Sequence, residues 1–308
     1  MNYIVSTTIH PLSEALRKFD ALPDWRLIVV GDLKTPPDFK LDRGIYVSPK
    51  DQESYDRKLS NAIGWNCVQR RNLGILIAYE AGAEVIALVD DDNIPYESWG
   101  QNLLLGRLIE THFYVAPSCA PAFDPVGALV SHLWHRGFPL QLLDSRDYGH
   151  CMIQRVCPEI QADFWDGDPD VDAICRMEHN PVCRFGPAYF PMASNKPSPF
   201  NSQNTFLLRR VLPDYFLAPG INRLEDIWAS YYVQARGFRV VYGAPSVYQK
   251  RNSHCLTRDM VQEFLGYEKT INLIHDLAQD PRRIYDYLPA AAKRAWQLYR
   301  RHFDGTET

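Results

Sequence analysis

Residues 84–93 read Glu-Val-Ile-Ala-Leu-Val-Asp-Asp-Asp-Asn, and the reading of this stretch decides the fold. The run from Val85 to Val89 is uninterrupted, apolar and rich in β-branched residues, as a buried strand is. Three adjacent carboxylates, Asp90, Asp91 and Asp92, follow it at once. Like charges set side by side repel and raise one another's pKa, so a triplet at a strand end calls for a cation. Hard carboxylate oxygens suit Mg²⁺ or Mn²⁺, above all when substrate phosphates complete the shell. The plain alternative is a solvated acidic turn.

Outward from this strand the chain alternates. Residues 3–8 read as a strand and 13–22 as a helix with Ser13 as its N-cap. Residues 26–32 form a second buried strand ending at Gly31-Asp32, and 44–47 a short third one. Residues 67–81 carry a helical pattern closed by Gly82. This alternation predicts an α/β fold with an open, mostly parallel sheet flanked by helices, whose ligands bind beyond the carboxyl ends of the strands. The stretch 113–199 is irregular and rich in Pro, Gly and aromatics. A strand is expected over 200–210, a helix over 224–236, a strand over 238–242 and a polar loop over 249–254. Helical pattern resumes at 256, with Arg282, Arg283, Lys293, Arg294, Arg300 and Arg301 on it. The simplest division is a main domain over 1–254 and a helical extension over 255–308.

Composition narrows the class. The 308 residues are 46% hydrophobic and 23% charged with a net charge of -4, which gives no general attraction to nucleic acid or acidic membranes. Seven cysteines, odd in number and irregularly spaced, read as free thiols of a reducing compartment. No run approaches the roughly 18 apolar residues that cross a bilayer. A strand beginning at Tyr3 leaves no room for a signal peptide, so a cytoplasmic protein is expected.

Polar residues gather where such a sheet binds ligands. Thr7 and Thr8 end the first strand and Asp32 the second, where they can hydrogen-bond a nucleotide base, Asp32 accepting a uracil imide N–H. Arg70 and Arg71 open a helix and suit a pyrophosphate. Four aspartates with Trp165 occupy 165–172, and the calcium-loop pattern is not completed there. A sugar-binding loop is the better reading, with Asp168, Asp170 and Asp172 accepting from hydroxyls. Asn201, Gln203 and Asn204 are candidate sugar or acceptor contacts, and Lys250 and Arg251 candidate diphosphate ligands.

The run 70–93, RRNLGILIAYEAGAEVIALVDDDN, resembles the STELLO-type family of glycosyltransferase-like proteins. More distantly it resembles the reversibly glycosylated polypeptides, the UDP-arabinopyranose mutases of plants. Further similar segments follow in the same order: VSHLW at 130–134, DGDPDVDA at 166–173, Phe190-Pro191-Met192 with 201–209, and DIWASY at 226–231. The resemblance implies a GT-A fold, a nucleotide diphosphate sugar donor of the UDP-sugar kind, and Mn²⁺ or Mg²⁺. It implies that Asp90 and Asp92 hold the cation, with Asp91 nearer the ribose and His254 as a further ligand. The pair Glu225-Asp226 then faces the acceptor, Asp226 being the first choice for a general base and Glu225 the second. In the mutases an arginine after the aspartate segment carries self-glycosylation; Arg176 is the nearest here, and its spacing does not match.

The function expected is metal-dependent transfer of a sugar to an unidentified acceptor: a glycan, a small molecule or a protein. Three alternatives stand beside it. One is a UDP-sugar mutase, which needs no acceptor. Another is a transferase acting on modified DNA, with the basic C-terminal helices touching phosphates. The third is a nucleotide-sugar-binding protein without catalysis.

Overall fold

The computed structural model describes residues 1–251 and 255–304. Its N-terminal part alternates as expected: β1 (Asn2–Thr8), α1 (Glu14–Asp20), β2 (Trp25–Gly31), β3 (Ile45–Val47), α2 (Pro49–Ile63), α3 (Arg71–Glu80) and β4 (Val85–Val89). Then come β5 (Asn93–Pro95), β6 (Ile109–Val115), β7 (His150–Val156), β8 (Ile160–Gly167), α4 (Ala173–His179), β9 (Met192–Ser194) and β10 (Asn204–Leu208). The chain ends with α5 (Glu225–Ala235), β11 (Val240–Gln249), α6 (Leu256–Gln279), α7 (Ile284–Tyr287) and α8 (Ala290–Arg300).

All strands join one mixed sheet, in the order β3-β2-β1-β4-β10-β8-β11-β9-β6-β7, with β5 paired to β11. The strands β3, β2, β1 and β4 run parallel. Strand β10 lies antiparallel between β4 and β8, and β8 is parallel to β11. The carboxyl ends of β1, β2, β4, β8 and β11 therefore share one edge, where such sheets bind ligands. Helix α3 packs closely on the sheet at Gly74, where a Cβ would come within 2.5 Å of Val5 and 2.8 Å of Val30.

The Ser13 cap forms: its hydroxyl accepts from Leu16 N and donates to the carbonyl of Asp91 at 2.6 Å, tying α1 to the acidic triplet. Helix α2 has no counterpart in the sequence reading, although Ser48 and Asp51 make a capping box with Pro49 behind the cap. It breaks at Asp56, whose carboxylate accepts from Lys58 N and Leu59 N and so caps its second half. The irregular middle contains the larger difference. Residues 160–167 are the central strand β8, buried at every position except Asp166, so Trp165 belongs to a strand and not to a loop.

The C-terminal helices are laid against this body. Trp228 donates to Thr270 of α6, and Tyr299 of α8 donates to the carbonyl of Leu212. Phe216 stacks on Trp296, and Tyr79 meets Phe303 edge-on. Among the described residues no helix is long and apolar enough to cross a membrane.

Candidate functional site

Two cavities open at the carboxyl edge, and residues 66–68 with Asp90 line both. The first, of about 660 Å³, is lined by Thr7, Thr8, Asp32, Arg71 and all three aspartates of the triplet. The strand ends bring them there. Thr8 donates to Asp91 at 2.5 Å, and Arg71 bonds Asp90 at 2.8 Å while also reaching Thr7 and Ser202. Burial pushes the Asp90 carboxyl up, against the pull of Arg71, and the charges of Asp91 and Asp226 add to the rise.

Two sequence expectations change on this wall. Asp32 lines the cavity, but its carboxylate accepts from Leu33 N, Asn66 N and Cys67 N, so it braces the 66–67 turn. Asn66 adopts a left-handed φ of 59° there, a conformation Asn tolerates. Arg70 also lines this cavity, but it is fully buried and its guanidinium is taken up by the protein's own acceptors. Its guanidinium donates to Gln52, to Ser60 and to the carbonyl of Gly64, and lies 3.6 Å from the Trp65 ring centroid. It locks α2 to α3, and only Arg71 of the pair touches the triplet.

The donor set of the triplet fits a divalent cation whose shell is completed from outside. Asp90 and Asp92 offer hard oxygens beside an open cavity, while no group of three or more His, Cys, Asp or Glu able to hold a metal exists among the described residues. Mg²⁺ and similar ions are commonly held in this way, by one or two carboxylates plus substrate phosphates. His254 lies outside the described residues. Lys250 is exposed and its N–H donates to the carbonyl of Asp92, so β11 delivers it beside the triplet.

The second cavity, of about 430 Å³, is lined by Arg136, Ser202, Gln203, Arg223, Glu225 and Asp226 among others. Its frame is Arg136, which sequence reasoning missed. Nε donates to both oxygens of Asp170, Nη1 and Nη2 to the two oxygens of Asp226, and Nη1 also to the carbonyl of Arg223. Burial alone would drive the charge off Arg136, but the two carboxylates outweigh it and raise its pKa well above the usual value. Burial likewise opposes the charge on Asp170, and Arg136 reverses the balance, holding that carboxyl well below its ordinary range.

Asp226 is thereby occupied. It accepts from Arg136, from Ser202 N at 3.1 Å and from Ile227 N at 2.8 Å. Glu225 differs. Among the described residues its Oε2 is buried without a hydrogen-bond partner, as is Oε1 of Gln203 in the same wall. Burial, then the charge of Asp226, pushes the Glu225 carboxyl upward.

The expected sugar loop disperses. Trp165 packs on Phe164 and His135 in the core. Asp170 is fully buried against Arg136 and Asn201. Asp172 caps α4, accepting from Cys175 N and from Trp134 at 2.6 Å. Asp168 pairs with Arg176, which also donates to the carbonyl of Pro169, so Arg176 is a structural partner. Asn204 is wholly interior, bonded to Trp99, Ser246 and the carbonyl of Phe164. Asn201 accepts from Gln203 N and orders the segment that enters β10. Arg251 is mostly buried, 3.8 Å from Asp259. Of the basic C-terminal residues, Arg282, Arg283 and Arg300 pair with Asp280, Asp276 and Asp214, leaving fewer charges for phosphates.

No family model matches the chain. It is 28% identical over 183 residues to a protein of Arabidopsis thaliana described as probable glycosyltransferase STELLO2, a match covering 56% of this chain and 24% of that protein. The chain thus spans about a quarter of the length of the curated relative it matches. Among solved structures, a mycobacterial protein is similar with a TM-score of 0.45 at 12% identity, covering 91% of this chain and 75% of that one. Glucosyl-3-phosphoglycerate synthase of Mycobacterium tuberculosis, in complex with Mn²⁺, UDP-glucose and phosphoglyceric acid, is similar with a TM-score of 0.44 at 11% identity, covering 91% and 80%.

Proposed function

We propose that this chain is a GT-A-type glycosyltransferase that transfers a sugar from a nucleotide diphosphate sugar, of the UDP-sugar kind, to a hydroxyl acceptor. The observation that carries the reading is the pair of cavities meeting at Asp90. The first has the carboxylates and the basic residue suited to a metal-bound diphosphate; the second has buried, unpartnered oxygens suited to a hydroxyl. A mutase acts on its donor alone, so a separate polar cavity beside the triplet favours transfer.

Asp90 and Asp92 would hold Mn²⁺ or Mg²⁺, with Asp91, already bonded to Thr8, nearer the ribose. When bound there, the cation neutralises charge on the departing nucleoside diphosphate. Arg71 orients Asp90 from behind, and Thr7 and Asp32 line the part of the cavity available to a base. In the second cavity the acceptor hydroxyl would donate to Glu225 Oε2, which takes its proton as the new glycosidic bond forms. The raised pKa, about 8, makes the ionised form of Glu225 a stronger base than an exposed carboxylate, so transfer should quicken as pH rises toward that value, while Asp226 is held by Arg136 as a fixed part of the wall.

A thermal-shift series of UDP-, GDP-, CMP- and dTDP-sugars, each with and without Mn²⁺, tests the donor half. A Mn²⁺-dependent rise with one nucleotide family supports the reading, and the Asp92→Ala variant should lack it. No rise with any of them would sink it.

A further inference from the structure

A third cavity, of about 500 Å³, shares no lining residue with the two at the carboxyl edge. It lies between the strands β6, β7 and β9 on one side and the helices α5 and α6 on the other. Phe113, Tyr231, Ile274 and Leu277 give it an apolar floor. Arg155, Lys196 and Arg239 also line it, and no carboxylate does.

The charge arrangement is unusual for this chain. Aspartates and glutamates outnumber lysines and arginines overall, by 37 to 33, yet this wall carries cations alone. Among the described residues, none of the three cations takes part in an ion pair. Arg155 stands across the ladder from Glu110 without pairing with it, and Lys196 reaches only the carbonyl of Ser118, at 3.2 Å. Glu159 accepts from the backbone N–H of Arg239 but does not pair with its side chain, so the wall presents three cationic side chains that an anion would complement. The apolar floor adds affinity for the body of the same ligand, at roughly 25 cal/mol per Å² removed from water. The volume lies within the range of small-molecule sites.

We propose that this slot binds a small amphipathic anion: an apolar or aromatic body bearing a carboxylate, sulfonate or phosphate. The site is independent of the donor and acceptor cavities, and its test does not depend on transfer activity.

The probe is anilinonaphthalene sulfonate, titrated into the intact chain and followed by fluorescence. Saturable binding with one site per chain is expected. The variant Arg155→Glu with Arg239→Glu, both at exposed positions, should weaken it about tenfold or more. Ala278→Trp, also at an exposed position, should reduce it by filling the slot, whereas Arg282→Glu, at a residue outside the slot, should leave it unchanged. The uncharged analogue phenylnaphthylamine should bind more weakly than the sulfonate. Unsaturable binding, equal affinity in the double variant, or equal affinity for the uncharged analogue would each overturn the proposal.

Discussion

The two cavities at the carboxyl edge touch at Asp90 and are built on opposite electrostatic plans. The first crowds three carboxylates from consecutive residues against the single guanidinium of Arg71, and Asp90 remains hard to ionise. The second sets Arg136 between Asp170 and Asp226, bonded to both, and leaves one oxygen of Glu225 unmatched among the described residues. The first is a site under charge stress that a divalent ion would relieve. The second is already compensated, and its braced wall holds the Glu225 carboxyl in place.

The largest test of that contrast is Arg136→Met. It strands Asp170 and Asp226 as buried, unpaired carboxylates, and breaking such a pair costs about 3–5 kcal/mol. Urea denaturation should register that loss, and a markedly smaller one for Arg71→Met, because the Asp90 side chain keeps 28% of its exposure and can turn to water. Equal losses would erase the distinction between the cavities.

Glu225→Gln comes next. Removing a general base lowers turnover by about 10²–10⁴-fold, while the Mn²⁺-dependent stabilisation by UDP should persist. A variant that turns over normally would transfer the role to another group. Asp90→Asn should do the reverse, abolishing the Mn²⁺-dependent part of the UDP shift. For a ligand at a hundredfold excess over Kd that stabilisation is about 2.7 kcal/mol. An undiminished shift would move the cation away from the triplet.

The smallest effect is on the pH dependence of folding. Glu225 has a raised pKa in the folded state, so its contribution is fully present below its ordinary value of 4.5 and is lost as pH rises through the raised one. The wild-type chain should lose stability with rising pH more steeply than Glu225→Gln over that window. Parallel stability curves would mean that Oε2 finds a partner after all.

The same contrast explains what the amino-acid order revealed. The lining of the first cavity was legible because its groups are local: Thr7, Thr8, Asp32 and Asp90 lie at or within three residues of the end of an apolar run, and parallel strands bring those ends together. Arg70 misled because two adjacent arginines look alike until the fold turns one toward α2 and the other toward Asp90. Strand β8 does alternate over Ile160-Gln161-Ala162-Asp163-Phe164, but it lies in a stretch rich in Pro, Gly and aromatics, and its polar residues Gln161 and Asp163 are buried rather than solvated, so the run did not stand out as a strand. Arg136 carries no local signal, since its meaning depends on residues far along the chain. Its flanking His135 and Gly137 offered no pattern.

That distance has a consequence for how the protein is made. The partners of Arg136 lie 34 and 90 residues downstream. At ribosomal rates of 5–20 residues per second, the 90 residues to Asp226 take about 5–18 s to synthesise. Throughout that interval the nascent chain has β1 to β4 in hand while Arg136 waits without Asp226. The antiparallel neighbour of β4, strand β10, also arrives late, so an edge of the sheet stands open meanwhile. A ribosome pausing between residues 136 and 204 would prolong that exposure, and chaperone dependence should concentrate in this window.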